Sequence, residues 1–241
     1  MKAAEQNVTI YGKKGLQPMK ESDYQLLQTS VFSGITTEEI KDMLTCLSAR
    51  EVTFRKDEII FSYGTQLTSI GIVLDGCVHI LKEDFWGNAN LMSECQPGDI
   101  FGEAYAINAS APLEMNIFSA ADSRILFLEV NKILTVCSFA CEFHNRLIQN
   151  LLTLVARKNF ELNRKLEHMS KRTTREKLLS YLSTESKKAN ASTFKIPFNR
   201  QQLADYLSVD RSAMSNELCK LRDEGVLEFR KNSFTLKYPF A

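Results

Sequence analysis

The chain is short of the residues that most catalytic and membrane chemistry needs. Its 241 residues include three histidines, His79, His144 and His168, spread apart and with no His-x-His pair for a jelly-roll metal site. It has no phosphate-cradling loop of the Gly-x-x-x-x-Gly-Lys-Ser/Thr type and no evident nucleophile–base constellation. An enzyme built on a jelly roll is therefore the weaker reading of its function class. No apolar run is long enough to span a bilayer, and the first residues lack a secretory pattern, so no membrane partner is expected. The six cysteines (46, 77, 95, 137, 141 and 219) are scattered, with no Cys-x-x-Cys pair and no small disulfide framework, which suits a reducing cytosol. No cysteine precedes Cys46.

What is present fits two domains, each large enough for its own core. The formal net charge is +1, and this hides an asymmetry. From Ser170 onward there are 14 Lys and Arg against 8 Asp and Glu; the preceding part has 16 against 21. An acidic front and a basic back imply that the back half alone meets nucleic acid.

The sharpest signal in the back half is residues 199–227, NRQQLADYLSVDRSAMSNELCKLRDEGVL. Leu203, Ala204 and Leu207 recur at helical spacing, a polar turn Ser208-Val209-Asp210 follows, and Asp210 is placed to cap a second helix. Val209, Met214, Leu218 and Leu221 fall on its inner face. Arg211, Ser212, Ser215 and Asn216 are left at its exposed start, where a helix-turn-helix presents side chains to base edges.

Residues 31–129 read as short strands: Ile59-Ile60-Phe61, 69–74, 77–81, Asn90-Leu91-Met92 and 125–128. Turn signals separate them, namely Tyr63-Gly64, Asp75-Gly76, Trp86-Gly87-Asn88, Pro97-Gly98-Asp99, Ala111-Pro112 and Asp122-Ser123. The pattern predicts a sandwich or jelly-roll barrel, with Asp75-Gly76 as a hairpin turn. Thr36-Thr37-Glu38-Glu39-Ile40 predicts a capped helix running into Met43, Leu44 and Leu47. A long helix is expected over about 140–169. Ile148, Leu152, Val155, Asn159, Leu162, Leu166 and Met169 alternate by four and three, a heptad seam with one Asn that suits register-fixed parallel pairing. A second stripe, Leu147, Leu151 and Leu154, is placed to pack on the barrel.

Barrel, long helix and helix-turn-helix together resemble the Crp–Fnr family of bacterial transcription regulators. The most specific pieces are Gly76 in the Leu-Asp-Gly turn, residues 97–103 (PGDIFGE) and residues 200–207 (RQQLADYL) leading to Asp210-Arg211-Ser212. The resemblance implies an α+β chain. It would hold a loose lead-in over 1–24, a cyclic-nucleotide-binding-like β-barrel that senses an effector over 25–139, a dimerisation helix over 140–169 and a winged helix-turn-helix over 170–241. Glu228 to Leu236 would form the wing around Lys231-Asn232-Ser233. It further implies a cytoplasmic homodimer on a near-palindromic double-stranded DNA operator, with RNA polymerase as a protein partner.

Carried over residue by residue, Arg211 holds the family's guanine-contacting place, Ser212 stands where Glu is frequent, and Asn216 takes a later reading position suited to adenine. Arg200 corresponds to a phosphate contact. Gln201, Ser215 and Lys231 complete the expected DNA-binding set. Members that bind cyclic AMP follow a Gly-Glu pair with an Arg-Ser pair gripping the phosphate. Here Gly102 and Glu103 are present, but Leu113 and Glu114 hold the later places, and a carboxylate repels phosphate. The expected effector is thus a small molecule other than cyclic AMP, in a pocket reached by Gly102, Glu103, Leu113 and Met115. No cofactor is expected, since the iron–sulfur cysteine cluster of oxygen-sensing relatives is missing. Cys137, Cys141 and His144, spaced by four and three, are the residues of an alternative redox- or metal-responsive regulator. Cys77 and His79 share one face of a strand and are expected as a satisfied pair inside the barrel.

Overall fold

Short β-branched and aromatic runs between turns build two antiparallel sheets in the computed structural model of the chain, which describes residues 13–14, 19–83, 89–108, 110–135 and 142–237. The chain divides into two units, Met1–Val155 and Ala156–Ala241. The first holds strands β1 (Lys13–Lys14), β2 (Arg50–Phe54), β3 (Ile59–Phe61), β4 (Ser69–Asp75), β5 (Val78–Glu83), β6 (Ala89–Cys95), β7 (Ile100–Phe101), β8 (Asn116–Ser119) and β9 (Ser123–Glu129). One sheet has the order β1-β2-β9-β4-β7 and the other β3-β8-β5-β6. The expected strands are found; β1, β2 and β7 were not anticipated, and β1 falls in the stretch expected as a loose lead-in. The predicted turn Trp86-Gly87-Asn88 lies outside the described residues.

The sheets share one core. Phe127 of β9 is fully buried and meets Phe54, Phe61 and Phe101 edge-on at centroid distances of 6.3, 5.7 and 6.3 Å. Because Phe61 comes from the opposite sheet, this ring binds the two layers together.

Asp75-Gly76 is a turn but not a hairpin turn. β4 pairs with β7 and β9, whereas β5 pairs with β6 and β8, so the turn carries the chain from one sheet to the other. Gly76 has φ +87°, and a Cβ there would lie 2.3 Å from Ser123 Oγ and 2.4 Å from the Asp122 carbonyl. Only glycine satisfies both the left-handed backbone and the close approach. The local signal marks the turn; it does not say which strands pair.

Helix α1 (Glu21–Gln28) buries Asp23, Tyr24 and Leu27, so packed structure includes the last residues of the stretch expected as a loose lead-in. Arg124 of β9 fastens this helix to the sheet: its guanidinium donates to Asp23 Oδ2 at 2.7 Å and to Glu51 Oε1 of β2 at 2.8 Å. Both carboxylates are about 5% exposed at their side chains. Helix α2 (Thr37–Cys46) starts as predicted, with Thr36 Oγ1 accepting from the Glu39 N–H and the Glu39 carboxylate accepting from the Thr36 N–H. Short helices α3 (Glu103–Ile107) and α4 (Val130–Leu134) complete the barrel unit. Helix α5 spans Glu142–Met169. Its stripe Leu147, Leu151 and Leu154 packs into the barrel core as expected, while Leu152, Leu162 and Leu166 are more than 60% exposed.

The second unit continues with α6 (Thr174–Ala189), β10 (Thr193–Lys195), α7 (Arg200–Leu207), α8 (Arg211–Asp223), β11 (Leu227–Arg230) and β12 (Ser233–Leu236). The strands form a sheet of order β10-β12-β11. Leu178, Leu182, Leu203, Leu207, Met214, Leu218, Leu221 and Phe234 are fully buried beneath it.

Removing the guanidinium of Arg124 strands two carboxylates in the barrel wall. Arg124→Met is expected to destabilise the folded chain by about 3–5 kcal/mol, measured by urea unfolding; a loss below about 1 kcal/mol would show that the triad is not what holds α1.

Candidate nucleic-acid interface

The helix-turn-helix is set by its caps. Asn199 Oδ1 accepts from the Gln202 N–H at 3.0 Å, and Gln202 Oε1 accepts from the Asn199 N–H at 2.9 Å, starting α7. Ser208, at φ +49°, ends it, and Asp210 Oδ1 accepts from the Ala213 N–H at 2.7 Å to start α8. Lys177 of α6 donates to the Leu207 and Ser208 carbonyls at 3.2 and 3.3 Å, a cation on the negative end of α7. Arg175 of α6 donates to Glu217 and Glu224, one on α8 and one at its end.

With Met214, Leu218 and Leu221 buried below, α8 presents Arg211, Ser212 and Asn216 to solvent. Ser215 is half-buried, and its hydroxyl donates back to the Arg211 carbonyl at 2.9 Å. Gln201 is exposed and donates to Asp205 Oδ1. Lys231 stands exposed at the wing tip at φ +54°, where Asn232 exchanges two hydrogen bonds with the backbone of Ile196.

Arg200, expected as a phosphate contact, is half-buried. Its guanidinium lies over the rings of Phe229 and Phe234, 4.8 and 5.1 Å from their centroids, and burial lowers its pKa. The contact is a cation–π clasp between the start of α7 and the wing strands. Phe229 and Phe234 face each other across β11 and β12.

Sequence reasoning also missed His168, in the last turn of α5. The imidazole is 1% exposed. Its Nδ1 lies 2.8 Å from Ser180 Oγ of α6, and its ring meets Tyr181 edge-on at 5.8 Å and Tyr206 of α7 at 6.5 Å. The only sequence signal was a histidine at the end of an otherwise charged helical face.

In the barrel, the expected effector residues are packed rather than open. Leu113 is 1% exposed, with its N–H on the Thr65 carbonyl and its carbonyl on the Gly64 N–H; Met115 packs on the same core. Gly102, at φ +78°, opens α3, and Glu103 is 9% exposed. Glu114 points outward to Lys82 at 3.3 Å. Leu113 thus lies in the barrel core, with Met115 packed against it.

Of the alternative metal set, Cys137 and Cys141 lie outside the described residues. His144 is 3% exposed, with Nε2 at 2.8 and 2.9 Å from the Lys132 and Ile133 carbonyls, so that nitrogen carries a proton and is spent on the end of α4. Cys77 and His79, expected inside the barrel, face outward instead, because Val78 between them takes the interior position at 0% exposure. His79 Nε2 lies 3.0 Å from Glu94 Oε2. Burial, and then the charge of Glu94, push the Cys77 thiol pKa up.

Residues 51–138 match the family model of the cyclic nucleotide-binding domain, and residues 176–239 that of the Crp-like helix-turn-helix domain. The nitrogen fixation regulation protein FixK of Bradyrhizobium diazoefficiens is 26% identical over 230 residues, 90% of each chain. Among solved structures, the catabolite activator protein of Thermus thermophilus is 19% identical over 87% of this chain and 94% of its own, with a TM-score of 0.50. The c-di-GMP-responsive global regulator CLP of Xanthomonas campestris is 16% identical over 82% and 97%, with a TM-score of 0.52. These structural likenesses establish the fold.

Burial lowers the pKa of His168 from its ordinary 6.5. An unfolded chain protonates this group near pH 6.5 and the folded chain only at lower pH. Its contribution to stability is therefore present above about pH 6.5 and lost as pH falls through the depressed folded value. Between pH 7 and 5 the melting temperature of His168→Phe should fall less steeply than that of the wild type; identical slopes would exclude His168 as the source.

Proposed function

We propose that this chain, which belongs to the Crp–Fnr family of transcription regulators, acts as a homodimer that inserts α8 of each subunit into the major groove of a near-palindromic operator. The observation that carries this is the start of α8, where Arg211, Ser212 and Asn216 are exposed on a helix whose opposite side is fully buried. An arginine there can donate two parallel hydrogen bonds to guanine O6 and N7, and an asparagine can pair with adenine N6 and N7. Lys231 and Gln201 would meet phosphates on either side; Arg200, stacked on its two phenylalanines, is a positioning residue.

The dimer is supported by the exposed apolar row of α5, Leu152, Val155, Leu162 and Leu166, which a single chain leaves in water. Asn159 lies exposed between its halves and accepts from Asn163 at 2.8 Å.

The proposed effector is a small molecule other than cyclic AMP, since Leu113 and Glu114 supply no cation for a phosphate. It would act only by favouring one arrangement of the DNA-reading units over another. RNA polymerase as a further partner, a cytoplasmic location and the absence of catalysis follow from the same regulator role. No helix among the described residues is long and apolar enough to cross a membrane. Selection of bound sequences from random DNA, with and without cell extract, tests the whole: recovery of a two-fold symmetric site with half-sites about one helical turn apart is the expected result, and no enriched sequence would refute it.

Arg211→Ala should weaken specific binding by about 1–3 kcal/mol and relax preference at one base pair per half-site. Arg200→Ala should instead lower the melting temperature and leave the salt dependence of DNA binding unchanged, because no phosphate contact is lost. Gel-shift titrations over operator variants and salt check both; an unchanged base preference in Arg211→Ala would show the docking to be wrong. Leu162→Lys places a charge in the seam and should give the mass of one chain by light scattering, with operator binding lost. Calorimetry with millimolar cyclic AMP should register no saturable heat, and micromolar binding would overturn the argument from Leu113 and Glu114.

A further inference from the structure

The outer face of the β5–β6 pair carries a cluster that the DNA-reading role does not use. His79 and Glu94 are direct cross-strand partners. Cys77 stands two residues before His79 and Gln96 two residues after Glu94, so all four lie on the face opposite the buried Val78 and Cys95. Cys77 Sγ, a His79 ring nitrogen and a Glu94 carboxylate oxygen all lie within 4.8 Å of one another, the one such group of three among the described residues. We propose that Cys77, His79 and Glu94 form a three-ligand site for Zn²⁺, with water as the fourth ligand.

Tetrahedral zinc bound to sulfur, imidazole nitrogen and carboxylate oxygen sets its ligand atoms about 3.3–3.6 Å apart. The His79–Glu94 separation is 3.0 Å, so the two atoms need only part slightly to admit an ion between them. Thiolate, imidazole and carboxylate together suit zinc better than the oxygen-seeking Mg²⁺ or Ca²⁺. The neighbours orient the donors as outer partners of metal sites do. Gln96 Nε2 donates to Glu94 Oε1 at 2.7 Å and reaches Cys77 Sγ at 3.6 Å. Phe118 of the adjacent strand holds the His79 ring edge-on at 5.8 Å. Cys77 itself is fixed by its N–H on Ser123 Oγ at 3.1 Å. The His79 and Glu94 side chains are 26% and 48% exposed, which leaves a solvent path for the ion and a place for the water. Three ligands and an open position make a reversible site rather than a closed structural one.

The test uses the full chain freed of metal by chelator. Titration with ZnCl₂ in a calorimeter should give one equivalent per chain with micromolar or tighter affinity. Cys77→Ser, His79→Gln and Glu94→Gln should each weaken binding at least tenfold while keeping the wild-type melting temperature without metal. Co²⁺ in place of Zn²⁺ should give a thiolate-to-metal charge-transfer band that disappears in Cys77→Ser and persists in the double variant Cys137→Ser/Cys141→Ser. Zinc affinity unchanged in all three single variants, or a band lost in the double variant and kept in Cys77→Ser, would overturn the assignment.

Discussion

The C-terminal unit hangs on one stack of rings. His168 ends the long helix, Tyr181 comes from α6, Phe198 precedes α7 and Tyr206 lies within it. Their centroids are 5.0–6.5 Å apart, each ring touching at least two others. A helix end, a following helix and the first helix of the reading pair are thereby one packed object. Lys177 and Arg175 of α6 then reach the carbonyl end of α7 and the acidic side of α8. A buried imidazole and three rings thus join the end of α5 to α6 and α7.

The barrel solves a different problem. Two sheets must be joined without an open edge at the join, and the chain does it with a residue that has no side chain, Gly76, at the corner and one large ring, Phe127, at the centre. The Asp23–Arg124–Glu51 triad adds directionality that apolar packing lacks, since a helix seated on a flat apolar face has no preferred register. Glu51 keeps a second carboxylate oxygen, Oε2, without a hydrogen-bond partner, which ties the wall's integrity to the guanidinium.

The helix-turn-helix was legible because each of its parts is local: apolar spacing, a cap and a polar turn within 29 residues. The capped start of α2 and the helical spacing of α5 were legible for the same reason, although Ile148, expected in the seam, packs on the barrel core instead. Strand β2 was hidden because only Val52 and Phe54 mark its inward face, while Glu51 on the other face is a charge that becomes buried only when Arg124, 73 residues later, arrives beside it. The pairing of β4 and β5 with other strands could not be read from Asp75-Gly76, whose geometry is the same at a corner and in a hairpin. Arg200 looked like a free cation because nothing nearby in sequence shows that two wing phenylalanines close beneath it. Among the barrel residues, the apolar type of Leu113 and Met115 already pointed to the core against which they pack.

The clasp of Arg200 on Phe229 and Phe234, with Asn232 tied to Ile196, joins the wing to the start of α7. Under the proposed docking, a wing tied in this way would meet a duplex whose groove width varies with sequence. The adjustment would then fall on the DNA, and its elastic cost would depend on base steps that the protein does not touch. Flexible pyrimidine–purine steps would be favoured for their mechanics alone. Such preference would extend the operator beyond the bases within reach of any side chain.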